Sequence, residues 1–136
     1  MTDTVSGVDI FTVDFEDWYH GIELAPADWS RFESRIEVGT CRLLDLLHEA
    51  DTRATFFILG VAAESSPDLV REIARRGHEI ATHGYAHEFV YQLGAEGFRA
   101  DLQRSLEVLA ALVSVPVVGH RAPYFSITRE SPWAYD

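Results

Sequence analysis

The sequence predicts an α/β fold in which strands and helices alternate along a parallel sheet. Segments rich in β-branched and aromatic residues alternate with segments of helical periodicity. One of the strand-like segments is apolar on both faces, as expected for a buried parallel sheet. The chain has 136 residues, whereas a complete (β/α) barrel usually needs at least ~200. We therefore expect residues 1–136 to form a single partial domain, the N-terminal part of such a barrel.

Four strands are predicted from residue type. Each is a short run in which β-branched, aromatic or aliphatic residues dominate. These runs are segments 8–14, 54–59, 78–82 and 117–120. Because helical patterns separate them, the connections should be right-handed crossovers and the strands should lie parallel.

Three helices are predicted between these strands, and a fourth begins near the end of the chain. Leucine and valine residues recur at helical spacing in segment 35–51. Segment 66–77 opens with Ser-Pro and ends at Gly77, which are typical first-turn and end signals. The longest helical pattern covers 95–114 and stops before Pro116. Residues 128–133 have the composition of the first turn of a further helix.

Composition excludes several classes of protein. The net charge is −11, from 22 acidic and 11 basic residues, and such a negative field argues against binding to nucleic acid. No apolar run is long enough to span a membrane. Residues 1–9 contain no basic residue, so we expect no secretory signal and a cytoplasmic location. Cys41 is the only cysteine, which excludes an internal disulfide and a thiolate metal cluster.

Polar residues follow three of the four predicted strands. The first strand leads into segment 14–17, which contains three carboxylates, the third into segment 83–87, and the fourth into segment 121–124. In parallel α/β folds the carboxyl ends of the strands meet at one edge, where functional residues collect. We therefore expect these three clusters to converge on a single site.

The four-residue spacing of His83 and His87 suggests a metal site. A single turn at this spacing brings both imidazoles to one side, and two histidines with one carboxylate leave a coordination position open on zinc. The carboxylate has to come from elsewhere, and Asp14, Glu16 and Asp17 are the candidates at the same edge. The alternative is that both histidines are ordinary surface or loop residues.

Asp14 and Arg121 are candidates for a charge pair. Asp14 ends an apolar strand, where a carboxylate is costly to bury without a partner, and Arg121 follows another strand. The alternatives are an aspartate that faces water and a surface ion pair, which contributes little to stability. Other polar candidates lack partners in the pattern and are interpreted as structural: His20, Cys41, His48 and His78.

These residues resemble the first motifs of the polysaccharide deacetylases, the NodB-homology domain of carbohydrate esterase family 4. The resemblance rests on Thr-Val-Asp followed by Glu-Asp over 12–17, Thr-Phe-Phe over 55–57, His-Gly-Tyr-Ala-His over 83–87 and Arg-Ala-Pro-Tyr over 121–124. Segments 14–18 and 121–128 look closest to a bacterial branch that is associated with exopolysaccharide gene clusters. The order and spacing of the motifs match over nearly the whole chain.

The resemblance implies a distorted (β/α) barrel, a divalent metal that is often zinc, and hydrolysis of N-acetyl or O-acetyl groups on a sugar polymer. It implies that Asp14 is the catalytic base and that Arg121 holds its carboxylate. His83 and His87 match the metal-binding histidines, and Tyr124 with Pro123 borders the substrate groove. The family's later motifs, including a histidine that acts as general acid, would lie beyond residue 136.

The metal-binding carboxylate departs from the commonest family pattern of two adjacent aspartates. Phe15 follows Asp14 here, and on a strand it points to the opposite face. Glu16 returns to the face of Asp14 and is the expected ligand, with Asp17 as the alternative if the chain turns directly after the strand.

Two other functions stay open at this point. The chain could be a non-catalytic fragment or pseudoenzyme that binds metal or glycan, or a hydrolase of the same fold that acts on cyclic or small amides. Because a partial barrel leaves strand edges and apolar helix faces uncovered, we also expect self-association through an exposed barrel edge.

Overall fold

A computed structural model of the protein describes residues 9–136. It contains a sheet of three parallel strands, β1 (Thr12–Phe15), β2 (Thr55–Ile58) and β3 (Glu79–Thr82), in that spatial order. The predicted parallel α/β arrangement is therefore confirmed. The first strand is shorter than predicted, and Val8, its predicted start, lies outside the described residues.

Four α-helices of the described residues cover the sheet. Two were predicted with nearly their observed bounds: α1 (Ile36–Glu49) and α3 (Pro67–Arg75). Helix α2 (Gly60–Ser65) is only six residues long, too short to show a helical period in the sequence. Helix α4 (Val90–Leu112) begins five residues before the predicted start at 95, and its first turn is set off by a break at Gly94 (φ 69°). Three short 3₁₀ helices complete the described chain: Pro26–Arg31, Pro123–Phe125 and Pro132–Tyr135.

The predicted fourth strand over 117–120 is wrong as an extended element. Within residues 9–136 this segment forms only one parallel bridge, between Thr82 and His120. Val118 is 80% exposed, so burial does not stabilise a strand there, and Pro116 before it lacks the amide proton that a ladder requires. The helix predicted to begin over 128–133 is also wrong in type, because a 3₁₀ helix forms at Pro132–Tyr135 instead.

The core lies between the sheet and the helices. It is built from side chains with almost no exposed surface, of which Phe56, Ile58, Ile73, Ile80 and Leu109 are examples. Burial of each such side chain contributes roughly 1.5–3 kcal/mol to the hydrophobic term. The apolar faces of β2 and β3 thus fix the sheet against α3 and α4.

The strand register places the candidate site. Phe15 pairs with Ile58, and Ile58 pairs with Thr82, so all three strands end at the same level. The bridge from Thr82 to His120 brings the segment before Arg121 to that level as well. The residues that follow the strands therefore lie along one edge of the sheet.

The other edge of β1 has no strand partner among residues 9–136. Ile10 and Phe11, just before β1, are 79% and 47% exposed. Within residues 9–136, no helix is long and apolar enough to cross a membrane.

Candidate metal centre

The three polar segments that the sequence singled out converge at the carboxyl ends of the strands. Glu16 follows β1, the 83–87 turn follows β3, and Arg121 follows the bridge at His120. Asp14 and Glu16 flank Phe15, whose side chain is buried in the core. Because side chains alternate along a strand, both carboxylates point to the other face.

Glu16, His83 and His87 form a compact set of potential ligands. One donor atom from each residue lies within 4.8 Å of the other two. Glu16 Oε2 lies 2.9 Å from His87 Nε2, and both imidazoles are buried. Two imidazole nitrogens and one carboxylate oxygen make a donor set that zinc and similar divalent metals accept.

Orphaned polar atoms at this cluster support the fit to a metal. Glu16 Oε2 is buried and has no well-directed hydrogen bond within the described chain, although it touches His87. A buried carboxylate oxygen in this state is costly unless a further partner satisfies it. A bound cation would provide that partner, so the residues present fit a divalent metal.

His83 is oriented for ligation through its other ring nitrogen. Its Nδ1 lies 2.8 Å from the backbone oxygen of Arg121, an acceptor to which a protonated Nδ1 donates. This contact leaves Nε2 as the free base that faces the carboxylates, and such partners are typical of metal-binding histidines. Burial lowers the pKa of His83, while Asp14 opposes that shift. The neutral imidazole that a metal requires is thus favoured.

Glu16 is held in its charged form. Burial alone would raise its pKa, but the contact with His87 and the nearby rings of His83 and His20 lower it below the usual value. A carboxylate that is ionised at neutral pH is the form that binds a cation.

Asp14 and Arg121 form the predicted charge pair. Arg121 Nη1 donates to Asp14 Oδ1 at 2.7 Å, and Arg121 Nη2 donates to Thr12 Oγ1 at 3.0 Å. The guanidinium also lies over the Phe57 ring, 4.1 Å from its centroid. These contacts fix the arginine, and the remaining Asp14 oxygen, Oδ2, lies 4.0 Å from His83 Nε2.

Asp17, the alternative ligand, makes its hydrogen bonds outside the cluster. Its two oxygens accept hydrogen bonds from the Ser34 hydroxyl (2.5 Å), the backbone N–H of Arg35 (3.1 Å) and the backbone N–H of Trp18 (3.0 Å). Burial would raise its pKa, but these hydrogen bonds lower it. Asp17 therefore anchors the chain just before α1, and Glu16 is the carboxylate in the cluster.

A groove lies next to the cluster. It is a cavity of about 520 Å³ whose lining includes His20, Trp29, His87, Phe89 and Tyr124. The Tyr124 ring stacks on Phe89 with centroids 4.2 Å apart and meets the His87 ring edge-on at 4.5 Å. The Tyr124 hydroxyl accepts a hydrogen bond from the backbone N–H of Glu23.

Pro123, the second predicted groove residue, is buried and does not line this cavity. Its ring packs against Gly84, where a Cβ would lie 3.6 Å from Pro123 Cγ.

The residues interpreted as structural lie in different places. His78 is buried, and its Nδ1 accepts the backbone N–H of Ala54 at 3.2 Å. Cys41 and His48 are exposed. His20, in contrast, is buried beside the cluster, where Nδ1 accepts the backbone N–H of Asp17 at 2.9 Å. The sequence signal that could have revealed this is its position four residues after Glu16.

Comparison with known proteins identifies the family. The family model described as Polysaccharide deacetylase matches residues 29–135. The chain therefore belongs to the polysaccharide deacetylase family, and its fold is part of that family's distorted (β/α) barrel.

Individual relatives agree with this assignment. The Peptidoglycan deacetylase of Helicobacter pylori is 33% identical over 122 residues, which are 90% of this chain and 42% of that protein. A crystal structure from Mycobacterium smegmatis, assigned to the polysaccharide deacetylases, has a TM-score of 0.78 at 33% identity and covers 90% of this chain and 45% of that one. A carbohydrate esterase family 4 pseudoenzyme from Bacillus anthracis shares the fold, with a TM-score of 0.70 at 21% identity over 89% of this chain and 37% of that one. The chain thus spans less than half the length of each of these proteins.

Proposed function

We propose that the protein is a metal-dependent hydrolase that removes acetyl groups from N-acetylated or O-acetylated sugar polymers. One observation carries this proposal: a Glu16–His83–His87 cluster lies beside a carboxylate, Asp14, that Arg121 holds in place. Membership of the polysaccharide deacetylase family supports the reaction class. The bond hydrolysed is the carbon–nitrogen bond of an acetamide, or the ester bond of an O-acetyl group.

We propose Zn²⁺ as the metal, with Glu16, His83 and His87 as its ligands. Two imidazoles and one carboxylate are a donor set typical of catalytic zinc, which keeps a position open for water or substrate. When bound, a divalent metal supplies Lewis-acid chemistry, because it polarises a carbonyl oxygen and lowers the pKa of a nearby water molecule.

Asp14 is the proposed general base. Its Oδ1 is engaged by Arg121, so Oδ2, which faces His83, is the oxygen free to take a proton from the attacking water. The water oxygen forms a bond to the acetyl carbon and the carbon–nitrogen bond breaks. The leaving nitrogen gains one proton for the one that Asp14 accepts, so acetate and a free amine are the products. Arg121 keeps the carboxylate oriented throughout, since its second nitrogen is anchored to Thr12.

The groove beside the cluster is the proposed binding site for the polymer. Its aromatic side chains, Trp29, Phe89 and Tyr124, offer apolar faces of the kind on which sugar rings can stack. Tyr124 touches His87 directly. A sugar bound against Tyr124 would therefore lie next to the metal ligands.

A non-catalytic role is the second candidate. A pseudoenzyme with the same fold exists among the solved structures, and the chain spans 37% of its length. In that case the same cluster would bind metal, and the groove would bind glycan, without turnover.

Acetate release from defined polymers separates these functions. Purified protein loaded with Zn²⁺ is incubated with N-acetylated chito-oligosaccharide and, in a second arm, with O-acetylated xylan. A hydrolase releases acetate from at least one of them, and Asp14→Asn abolishes that release. Binding of the oligosaccharide with no acetate release in either arm would favour the non-catalytic role.

A further inference from the structure

The turn between the two candidate ligands, residues 83–87, is held on the side that faces away from the metal cluster. The backbone N–H of Tyr85 points between the two carboxylate oxygens of Asp101 on α4, at 3.0 and 3.2 Å. The backbone N–H of Gly84 donates to Thr82 Oγ1 at 3.1 Å. Both amide donors at the centre of the turn are therefore satisfied by side chains.

The two carbonyls at the centre of the turn are satisfied by α2. Gly84 O accepts the backbone N–H of Gly60 at 2.9 Å, and Tyr85 O accepts that of Val61 at 3.0 Å. Any side chain at Gly60 would collide with Tyr85, because a Cβ there would lie 2.5 Å from Tyr85 Cδ2. Backbone N–H groups of α2 and the side chains of Asp101 and Thr82 thus hold the turn from two sides.

Ser105 closes a hydrogen-bonded ring behind the turn. Its hydroxyl lies 2.5 Å from Thr82 Oγ1 and 3.2 Å from Gly84 O, and it is fully buried. One assignment of protons satisfies every group: Gly84 N–H donates to Thr82, Thr82 donates to Ser105, and Ser105 donates to Gly84 O. Ser105 stands one helical turn after Asp101, on the same side of α4.

The fit between Asp101 and the turn leaves no spare room. Gly84 adopts a positive φ of 78°, and a Cβ there would lie 3.0 Å from Asp101 Oδ2. His87, at the end of the turn, also has a positive φ of 57°, a conformation that a non-glycine residue keeps only when its surroundings impose it.

We propose that Asp101 and Ser105 are positioning residues, which hold the 83–87 turn in the one geometry that turns His83 and His87 together toward Glu16. The proposal rests on the metal site proposed above and extends it to α4. Neither residue would touch the metal or the substrate. Their effect would pass through the backbone of Gly84 and Tyr85.

The carboxylate of Asp101 costs free energy to bury, more than an uncharged side chain would. Burial raises its pKa, and the hydrogen bond from Tyr85 opposes that shift only in part. An uncharged side chain of similar size would avoid this desolvation cost if α4 needed only to be packed against the turn. The carboxylate instead provides two acceptor oxygens for the backbone N–H of Tyr85.

Metal titration of Asp101→Asn and Ser105→Ala tests the proposal. Asparagine keeps the size but replaces one acceptor oxygen by a donor, and alanine breaks the ring at Ser105. We expect each variant to bind Zn²⁺ about 10–100-fold more weakly, the usual effect of removing a group that orients metal ligands. We also expect the visible absorption of the Co²⁺-loaded protein to change, because that absorption reports the ligand geometry. Asp101→Glu, which restores two acceptor oxygens, should recover part of the affinity.

Glu107→Gln is the matched control, since it removes a carboxylate from the exposed side of the same helix. Thermal unfolding of the metal-free proteins shows which variants fold, and Ser105→Ala decides the question if Asp101→Asn does not fold. Variants that fold and keep the wild-type Zn²⁺ affinity and Co²⁺ spectrum would overturn the proposal. If the wild-type protein itself binds neither ion, the metal site fails, and the positioning role fails with it. Wild-type binding with unchanged variants refutes the positioning role alone.

Discussion

Arg121 and Asp14 lie 107 positions apart in the sequence, and the arginine donates a 2.7 Å hydrogen bond to one oxygen of the aspartate. The pair joins β1 to the segment that follows the bridge at His120. It also makes the two Asp14 oxygens unequal, because Oδ1 is engaged by Arg121 and Oδ2 faces His83. This asymmetry would give Asp14, the proposed general base, a fixed direction.

Arg121→Lys should therefore impair catalysis more than substrate binding. Lysine keeps the charge but cannot hold Asp14 and Thr12 with two nitrogens of one planar group. We expect kcat for acetate release to fall about 10–100-fold, with KM and zinc content nearly unchanged. Arg71→Lys is the control, because the exposed Arg71 pairs with Asp68 on the same helix, α3. Equal losses in both variants would contradict a specific role for Arg121.

The three carboxylates should separate by role. We expect Asp14→Asn to lower activity about 10²–10⁴-fold, the usual contribution of a general base, while zinc content stays near wild type. Glu16→Gln should lose zinc as well as activity. Asp17→Asn should keep zinc and lose stability, because its oxygens hold Ser34 and Arg35. Metal analysis after dialysis and thermal unfolding measure both properties. If Asp17→Asn loses zinc and Glu16→Gln keeps it, the ligand assignment is wrong.

His83 and His87 should each be required for a single metal site. Calorimetric titration of Zn²⁺ into chelator-treated protein should show one site per chain, greatly weakened in His83→Ala and in His87→Ala. The exposed His48 provides the control variant, His48→Ala, which should titrate like the wild type. Unchanged affinity in both ligand variants would refute the site.

The site could be predicted more completely than the fold around it. The residues of the site lie at the ends of predicted strands or soon after them: Asp14, Glu16, His83, His87 and Arg121. Parallel strands bring such residues to one edge of the sheet, however the helices are arranged. Side-chain alternation along a strand predicts Glu16 on the face of Asp14. The structure agrees, with Phe15 buried on the opposite side.

The elements that were missed depend on contacts that the sequence does not show. Segment 117–120 has strand composition but, within residues 9–136, pairs only at His120, where Val118 is left 80% exposed. Asp101 and Ser105 look like polar positions on an amphipathic helix, and only the fold reveals that they face the 83–87 turn. The position of His20 is also not visible in the sequence, because the loop after β1 must fold back to bring its ring near Glu16.

The exposed edge of β1 should promote self-association of the 136-residue chain. Strand edges with exposed apolar residues pair readily with other chains, and Ile10 and Phe11 are exposed beside this edge. Light scattering over a range of protein concentrations should show species larger than a monomer. Phe11→Lys should reduce them, since a charge at an edge disfavours pairing. A monomer at all concentrations would contradict the expectation.

His120 should make the stability of the metal-free protein depend on pH. Both its ring nitrogens are buried without a hydrogen-bond partner in the part of the chain that the structure describes, and the ring packs on Phe98. Burial, with a smaller effect from His83, lowers its pKa from 6.5 to about 4. Between these values the unfolded chain is protonated at His120 while the folded chain is not, so the free energy of unfolding decreases as the pH falls.

The size of this effect can be measured by difference. A shift from 6.5 to about 4 corresponds to roughly 3 kcal/mol, lost progressively as the pH falls through that window. His120→Phe removes the titrating group and keeps an aromatic ring against Phe98. Urea unfolding of both proteins between pH 7 and pH ~4, in the presence of chelator, should therefore show the wild type losing more stability than the variant. If the free energy of unfolding of the two proteins changes in parallel with pH, His120 does not have a lowered pKa in the folded chain. The buried environment of its ring would then be wrong.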